Sequence, residues 1–187
     1  MEVDLIKEEI VLDEFFKIYK SRLRFEKFDG TMSKEVERYS FEKSDAVAVL
    51  IYHLSKNAYI LVRQFRYPPV HHNTDPWLAE IVAGGIEENE EESAAARREV
   101  EEETGYTPLR LEKICKCYVS PGMMSERVSI YLAEVDDSSK VNEGGGAKGE
   151  DEDIKLIWID KDKAIDWMNE QVVGDAKTII ALQWHNK

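Results

Sequence analysis

The chain has few cysteines, no long apolar run and fewer basic than acidic residues. Of its 187 residues only two are cysteines, Cys115 and Cys117, and their spacing on a predicted strand fits reduced thiols better than a disulfide framework or a metal site. No stretch reaches the roughly eighteen consecutive apolar residues of a membrane-spanning helix. The first residues also lack the basic region and apolar core of a signal peptide. These absences predict a soluble cytoplasmic protein.

The acidic excess limits the kinds of partner that the chain can have. Its 38 acidic residues outnumber the 25 basic ones, and the net charge is −13 at pH 7. Non-specific nucleic-acid binding depends on basic side chains that contact phosphates, so it is not expected here. A small phosphate-containing molecule remains compatible with this charge, because divalent cations can bridge carboxylates and phosphates. We therefore predict a small-molecule partner, and no contact with nucleic acid or membrane.

The pattern of apolar residues predicts a mixed α/β chain. The hydrophobic content of 43% suffices for a normal core in about one domain with a small appendage. The Asp29-Gly30 pair is a strong hairpin signal within the first segment. We predict a small N-terminal antiparallel β-sheet domain over residues 1–45 and an α/β domain over 46–187. Residues 137–153, rich in glycine, serine and charge, are expected to form a mobile loop.

One short segment, "GGIEENEEESAAARREVEEETGY" at residues 84–106, is crowded with glutamates. Asn89 is a candidate N-cap with Glu92 as its capping-box partner, and Gly105 fits the left-handed residue that ends a helix. Glutamates three and four positions apart share one helix face, although like charges at that spacing repel. A charge run of this kind is most often a solvated helix face, so the acidic character alone assigns no function.

The spacing of the fixed residues distinguishes this segment from an ordinary acidic helix. It matches the Nudix box, G-x5-E-x7-R-E-U-x-E-E-x-G-U, where U is aliphatic, at every fixed position from Gly84 to Gly105. Only the last position differs, because Tyr106 is aromatic. On these residues the chain resembles the Nudix hydrolases. The resemblance implies a loop–helix–loop on an α/β/α sandwich that binds Mg²⁺, with Mn²⁺ as the alternative, and hydrolyses a nucleoside diphosphate linked to another group.

The resemblance also implies the ligands of the cation. Mg²⁺ prefers oxygen donors and commonly joins carboxylates to substrate phosphates. The implied metal ligands are the Ala83 carbonyl and the carboxylates of Glu99, Glu102 and Glu103. Arg98 is implied to hold the carboxylates of the box in place and is counted with Glu102 among the catalytic residues.

Further stretches, including "PWLAEIVAGGIEENE", "SPGMMSER" and "IALQW", resemble the ADP-ribose pyrophosphatases. Pro121 falls where those enzymes carry a proline, although the "GMM" that follows departs from their usual Gly-Gly-Thr. The "GGG…EDEDI" stretch is also similar to the GDP-mannose hydrolases, which are the rival within the class. A non-catalytic Nudix module that senses a nucleotide sugar is a further alternative, but it has no reason to keep a repulsive glutamate face.

The resemblance assigns the remaining site residues. Arg66 is implied to bind the diphosphate, and Glu126 to face the terminal ribose. Phe15 and Arg38 are implied to sandwich the adenine, with Arg38 supplied by the other subunit of a homodimer in which the N-terminal sheets, residues 1–45, are exchanged. Guanidinium stacking on a purine is physically reasonable. Glu150 and Glu152 are implied to activate the water, the first being the preferred base.

Overall fold

The computed structural model describes residues 1–14, 16–146, 153–172 and 174–186. The chain divides into two compact units. The first contains Met1–Ser44 together with Tyr118–Arg127, and the second contains Asp45–Cys117 together with Val128–Lys187. The predicted N-terminal domain, residues 1–45, does not include the second segment of the first unit, Tyr118–Arg127.

The first unit is built on a three-stranded antiparallel sheet. Its strands are β1 (Val3–Asp13), β2 (Lys17–Phe25) and β3 (Val36–Glu42), in the order β1-β2-β3. The Asp29-Gly30 turn lies between β2 and β3, as its sequence predicts. Gly30 has a φ of 78°, and the Asp29 carboxylate accepts a hydrogen bond of 2.9 Å from the Thr31 amide. A left-handed φ is cheap only for glycine, which explains the D-G pair.

The larger sheet has seven strands among the residues that the structure describes. They are β4 (Ala46–His53), β5 (Ala58–Phe65), β6 (Trp77–Glu80), β7 (Val82–Gly85), β8 (Arg110–Tyr118), β9 (Arg127–Val135) and β10 (Lys155–Asp160). Five of them follow the order β10-β5-β4-β9-β8, while β6 pairs with β5 and β7 pairs with β4. β4 and β9 pair in parallel along their whole lengths. The β-branched runs of the sequence lie in the middle of this sheet, where both faces are covered.

β4 and β5 separate from one another, and the segment β6–β7 is inserted between them. They pair directly only near their connecting turn, from Ile51 opposite Ile60 to His53 opposite Ala58. Beyond that point β7 pairs with β4, and β6 pairs with β5. We call this place the fork. Ile81 lies between β6 and β7, and its buried amide donates a 2.9 Å hydrogen bond to the Thr178 hydroxyl.

In the described part of the chain, three helices cover the larger sheet: α1 (Glu92–Thr104), α2 (Ala164–Glu170) and α3 (Ala176–His185). α1 packs on β4 and β7, and α3 packs on β4. On β4, the alternate residues Val47, Val49 and Ile51 lie in the same core as the buried alanines of α1. The intervening Ala48 and Leu50 are also fully buried, and they face the other side of the sheet. The predicted α/β/α sandwich is thereby confirmed.

The predicted capping box of α1 is wrong. Asn89 has a left-handed φ of 65°, and Glu91, in extended conformation, is the N-cap without a side-chain cap. The Glu92 carboxylate does not turn back to the helix start. It accepts hydrogen bonds from Lys113 and Lys116 of β8 and joins α1 to the neighbouring strands. Tertiary charge pairing therefore overrides the local capping signal.

The predicted mobile loop, residues 137–153, is described only in part. Asp137–Ser139 form a 3₁₀ turn capped by the Asp136 carboxylate, and the Gly145 and Gly146 amides donate hydrogen bonds to carbonyls at the end of α1. Residues 147–152, which include the predicted bases Glu150 and Glu152, lie outside the described residues, as does Phe15.

Candidate active site

The start of the box brings the backbone of β7 against a carboxylate of α1. A Cβ added at Gly84 would lie 2.0 Å from Oε1 and 2.2 Å from Oε2 of Glu99. A side chain at this position would have to displace the Glu99 carboxylate, so glycine is what lets this carboxylate lie directly against the strand. The Glu99 carboxylate is thus held next to the strand that carries Ala83, whose carbonyl is the predicted backbone ligand.

Arg98 connects the acidic residues of the box. Its Nε and Nη2 atoms each donate a 3.0 Å hydrogen bond to the Glu90 carboxylate, in the two-pronged geometry that guanidinium groups favour. Its Nη1 atom donates to Glu99 at 2.7 Å and to Glu102 at 3.1 Å, and Nη2 also reaches the Gly85 carbonyl at 3.0 Å.

This cluster shifts the protonation of its members. The hydrogen bonds from Arg98 hold the pKa of Glu90 below its usual value. The same bonds to Glu90, followed by those to Glu99 and Glu102, raise the pKa of Arg98 against the opposing effect of burial. The cluster therefore keeps a positive charge among several negative ones, and this offsets the repulsion on the glutamate face of α1.

The carboxylates of the predicted metal site share one side of α1. Glu99 and Glu103 are buried, and Glu102 is more open. Within the described residues, no three histidine, cysteine, aspartate or glutamate side chains converge as a preformed metal cluster. Arg98 binds two of the three carboxylates. The donors are nevertheless all oxygens, and together with the Gly84 cradle they suit a hard divalent cation.

A second charged group lies at the fork. The Arg66 Nε atom donates a 2.7 Å hydrogen bond to Glu80, whose side chain is only 4% exposed. Lys177, in the first turn of α3, lies 3.6 Å from the same carboxylate and also pairs with Asp175. Burial lowers the pKa of Arg66, but Glu80 and then Glu103 raise it to a net value above the usual one. Arg66 is therefore electrostatically coupled to the predicted metal site.

The first unit holds two of the predicted substrate residues. Arg38 is exposed on β3 and donates to the neighbouring Glu37 carbonyl at 2.8 Å. Glu126 is buried and forms a 2.8 Å ion pair with Lys43. These contacts leave the assigned roles of both residues as predictions.

Two residues of this arrangement were not found from the sequence. Glu80 is a glutamate inside the apolar stretch "WLAEIVAG", and a buried acid in a strand is a signal that could have singled it out. Lys177 gives no comparable signal, because it follows an ordinary N-cap aspartate at the start of a helix. Tyr106, the unusual last residue of the box, is 3% exposed and joins the core beside α1, so it fills the place of an aliphatic residue.

Comparison with known proteins identifies the family. The NUDIX domain model matches residues 42–182, which include the whole box, both faces of the larger sheet and the Arg66–Glu80 group. The chain belongs to the Nudix family. The Nudix box predicted from residue spacing is thereby confirmed, as is the fold that the resemblance implies.

Relatives that match nearly the whole chain are named for two different substrates. The Nudix chain is 35% identical over 184 residues to the GDP-mannose pyrophosphatase of Cronobacter sakazakii, with 98% of this chain and 94% of the relative covered. It is 36% identical over 183 residues to the ADP-ribose pyrophosphatase of Escherichia coli strain K12, with 98% and 87% covered.

A solved structure shares the fold of this Nudix protein. The crystal structure of an ADP compounds hydrolase superposes with a TM-score of 0.75 at 22% identity, and it covers 99% of this chain and 92% of the other. No helix in the described part of the chain has the length and hydropathy needed to cross a membrane.

Proposed function

We propose that the protein is a Nudix pyrophosphatase that hydrolyses the diphosphate of ADP-ribose, giving AMP and ribose 5-phosphate. The observation that carries this proposal is the oxygen-lined face formed by Glu99, Glu102 and Glu103 beside the β7 backbone. The names of the relatives support a nucleoside diphosphate sugar as substrate. GDP-mannose is the second candidate, because relatives named for it match the chain equally well.

We propose that the α1 carboxylates and the Ala83 carbonyl hold a divalent cation, Mg²⁺ or Mn²⁺. The chemistry that such a cation supplies is neutralisation of the diphosphate charge and activation of a water. Arg98 keeps Glu99 and Glu102 in position through its hydrogen bonds of 2.7 and 3.1 Å. Without that guanidinium, repulsion would turn the carboxylates away from one another.

Arg66 is proposed to bind the diphosphate, helped by Lys177. The side chains of Arg66 and Lys177 both pair with the buried Glu80 carboxylate. This carboxylate fixes the Arg66 guanidinium through a 2.7 Å hydrogen bond, and part of the Arg66 side chain stays exposed. A planar guanidinium with free donors is well suited to phosphate oxygens. Phe15, Arg38 and Glu126 are proposed to contact the adenosine and ribose, as the resemblance implies.

The reaction needs a base as well as a cation. A water oxygen attacks one phosphorus, the bridging P–O bond breaks, and the water proton passes to a carboxylate. Glu150 is proposed as that carboxylate, with Glu152 as support. A positioned base typically contributes about 10²- to 10⁴-fold to such a step. Glu150→Gln should therefore lower kcat within this range and leave KM nearly unchanged, whereas Glu152→Gln should do less.

We further propose that the protein acts as a cytoplasmic homodimer. β1 is an edge strand whose apolar side chains are largely exposed, with Val3 at 63% and Leu5 at 54%. A long edge strand of this kind is usually covered or paired. A second copy of the chain is the simplest cover. Sedimentation showing only monomer at micromolar concentration would contradict it.

A substrate panel tests the proposed activity. The purified protein is incubated with ADP-ribose, GDP-mannose, UDP-glucose and ADP-glucose, with Mg²⁺ or Mn²⁺, and the products are separated by anion exchange. ADP-ribose should exceed GDP-mannose in kcat/KM by at least about tenfold, on the order of 1.4 kcal/mol. The reverse ranking would favour the second candidate, and binding without turnover would favour a sensor.

Matched variants then test the site. Glu99→Gln and Glu103→Gln each remove one anionic donor with little change of shape, so each should lose most turnover and keep the fold. Glu88→Gln changes the net charge by the same amount at an exposed position outside the site, and it should keep wild-type turnover. Wild-type rates from both site variants in saturating Mg²⁺ would refute the assignment.

A further inference from the structure

The end of α1 is capped by a segment from much later in the chain. The last carbonyls of a helix have no partner within the helix and must find one elsewhere. The Gly145 amide donates to the Glu103 carbonyl at 2.9 Å, and the Gly146 amide donates to the Glu102 carbonyl at 3.1 Å. The two capped carbonyls thus belong to two of the residues whose side chains form the proposed metal site.

The capping segment needs its glycines for two reasons. Gly144, Gly145 and Gly146 have φ values of 68°, 106° and 101°, in the region that only glycine enters cheaply. A Cβ on Gly144 would also lie 2.6 Å from the Glu103 carbonyl oxygen and 2.6 Å from the Thr104 carbonyl carbon. The segment is therefore in direct backbone contact with the last turn of α1.

Additional hydrogen bonds hold the segment in register. The Val141 amide donates to the Gly105 carbonyl at 2.8 Å, and the Asn142 side-chain oxygen accepts from the Gly144 amide at 2.7 Å. Gly105 itself could carry no side chain, since its Cβ would lie 2.0 Å from the Asn142 carbonyl oxygen. The contact between helix end and segment is thus close on both sides.

We infer that residues Asn142–Gly146 are positioning residues that set the orientation of the Glu102 and Glu103 carboxylates towards a divalent cation. The inference rests on the proposed function of the same site. A functional group must be held within a fraction of an ångström to perform its chemistry, and backbone anchors on the residue that carries it do this most directly. Arg98 restrains the side chain of Glu102, and the glycine segment restrains the backbone of both glutamates.

The test measures cation binding directly, without substrate. Mn²⁺ is titrated into the full-length protein, and free Mn²⁺ is followed by its electron paramagnetic resonance signal. Gly144→Ala should raise the Mn²⁺ dissociation constant by at least about tenfold, because the added Cβ displaces the last turn of α1. Gly30→Ala is the control, since Gly30 has a similar φ of 78° but nothing within 4 Å of an added Cβ, and it should keep the wild-type constant.

A milder pair of variants covers the case in which Gly144→Ala does not fold. Asn142→Ala removes the oxygen that accepts from the Gly144 amide, and it should weaken Mn²⁺ binding in the same direction. Asn142→Asp keeps an acceptor oxygen of the same shape and should restore most of the affinity. A merely stabilising role would lower the melting temperature without this loss and rescue of affinity.

The outcomes separate this inference from the proposed function. Folded Asn142→Ala and Gly144→Ala proteins with the wild-type Mn²⁺ constant would overturn the inference, as would a wild-type protein that binds no Mn²⁺. If the wild type binds Mn²⁺ but hydrolyses no nucleoside diphosphate sugar, the proposed activity fails while the effect of the glycine segment on the cation site is still measured.

Discussion

Replacing Glu92 by glutamine should destabilise the larger unit measurably at neutral pH. The Glu92 carboxylate accepts hydrogen bonds from the lysines of β8 and, at 2.8 Å, from the Ser129 hydroxyl of β9. The hydrogen bonds from Lys113, then from Lys116, lower its pKa from 4.5 to about 2. Glutamine keeps the shape of the side chain and removes the charge, so it isolates this electrostatic contribution.

The magnitude and its pH dependence follow from the two pKa values. A shift of this size corresponds to about 3 kcal/mol, which we reduce to about 1–3 kcal/mol because the side chain is 28% exposed and screened. The folded pKa lies below the unfolded one. The stabilisation is therefore fully present above about pH 4.5 and is lost as the pH falls towards 2. About two-fifths of it should be gone at pH 3.5.

Urea unfolding followed by tryptophan fluorescence is the appropriate assay. The four tryptophans, Trp77, Trp158, Trp167 and Trp184, all lie in the second unit, as does Glu92. The free energy of unfolding is compared between wild type and Glu92→Gln at pH 7 and at pH 3.5, with Glu88→Gln as the control for net charge. Equal effects of the two substitutions at pH 7, or a wild-type excess that does not shrink at low pH, would refute the reasoning.

Three further outcomes are expected. Gly84→Ala keeps every carboxylate of the site, yet its Cβ would lie 2.0 Å from Glu99, and steady-state assays should show at least about a 10²-fold lower kcat. Thr178→Val leaves the buried Ile81 amide without its 2.9 Å partner and should cost about 1–3 kcal/mol in urea unfolding. Arg98→Lys loses the two-pronged bond to Glu90, and calorimetric titration should show weaker Mn²⁺ binding. An active Gly84→Ala protein, a neutral Thr178→Val substitution or an unchanged Mn²⁺ affinity would each contradict the corresponding contact.

Local patterns predicted the elements that depend on neighbouring residues in the chain. The end of α1 was predicted correctly, because Gly105 follows the helix with a left-handed φ of 75°. The hairpin at Asp29-Gly30 and the apolar strands are of the same kind, because turn chemistry and period are local properties.

Features that depend on distant residues could not be predicted in this way. Asn89 and Glu92 have the spacing of a capping box, but two lysines of β8 donate hydrogen bonds to the Glu92 carboxylate instead. The glycines after residue 143 have the composition of a flexible hinge, and only the tertiary structure shows them against the end of α1. Composition indicates which conformations a segment can adopt, whereas its tertiary contacts determine which one it adopts.

The fork has a consequence for the order in which the protein folds. Its central amide, at Ile81, is satisfied by Thr178, and β4 pairs in parallel with β9 across a long stretch of chain. Contacts between residues so far apart in sequence require the chain to lose loop-closure entropy before the contacts stabilise it. Such contacts therefore slow folding. During synthesis, the β6–β7 segment emerges long before the helix that holds it. Until α3 is made, β4 lacks one of the helices that pack on it, and we expect the nascent chain to depend on chaperones at this stage.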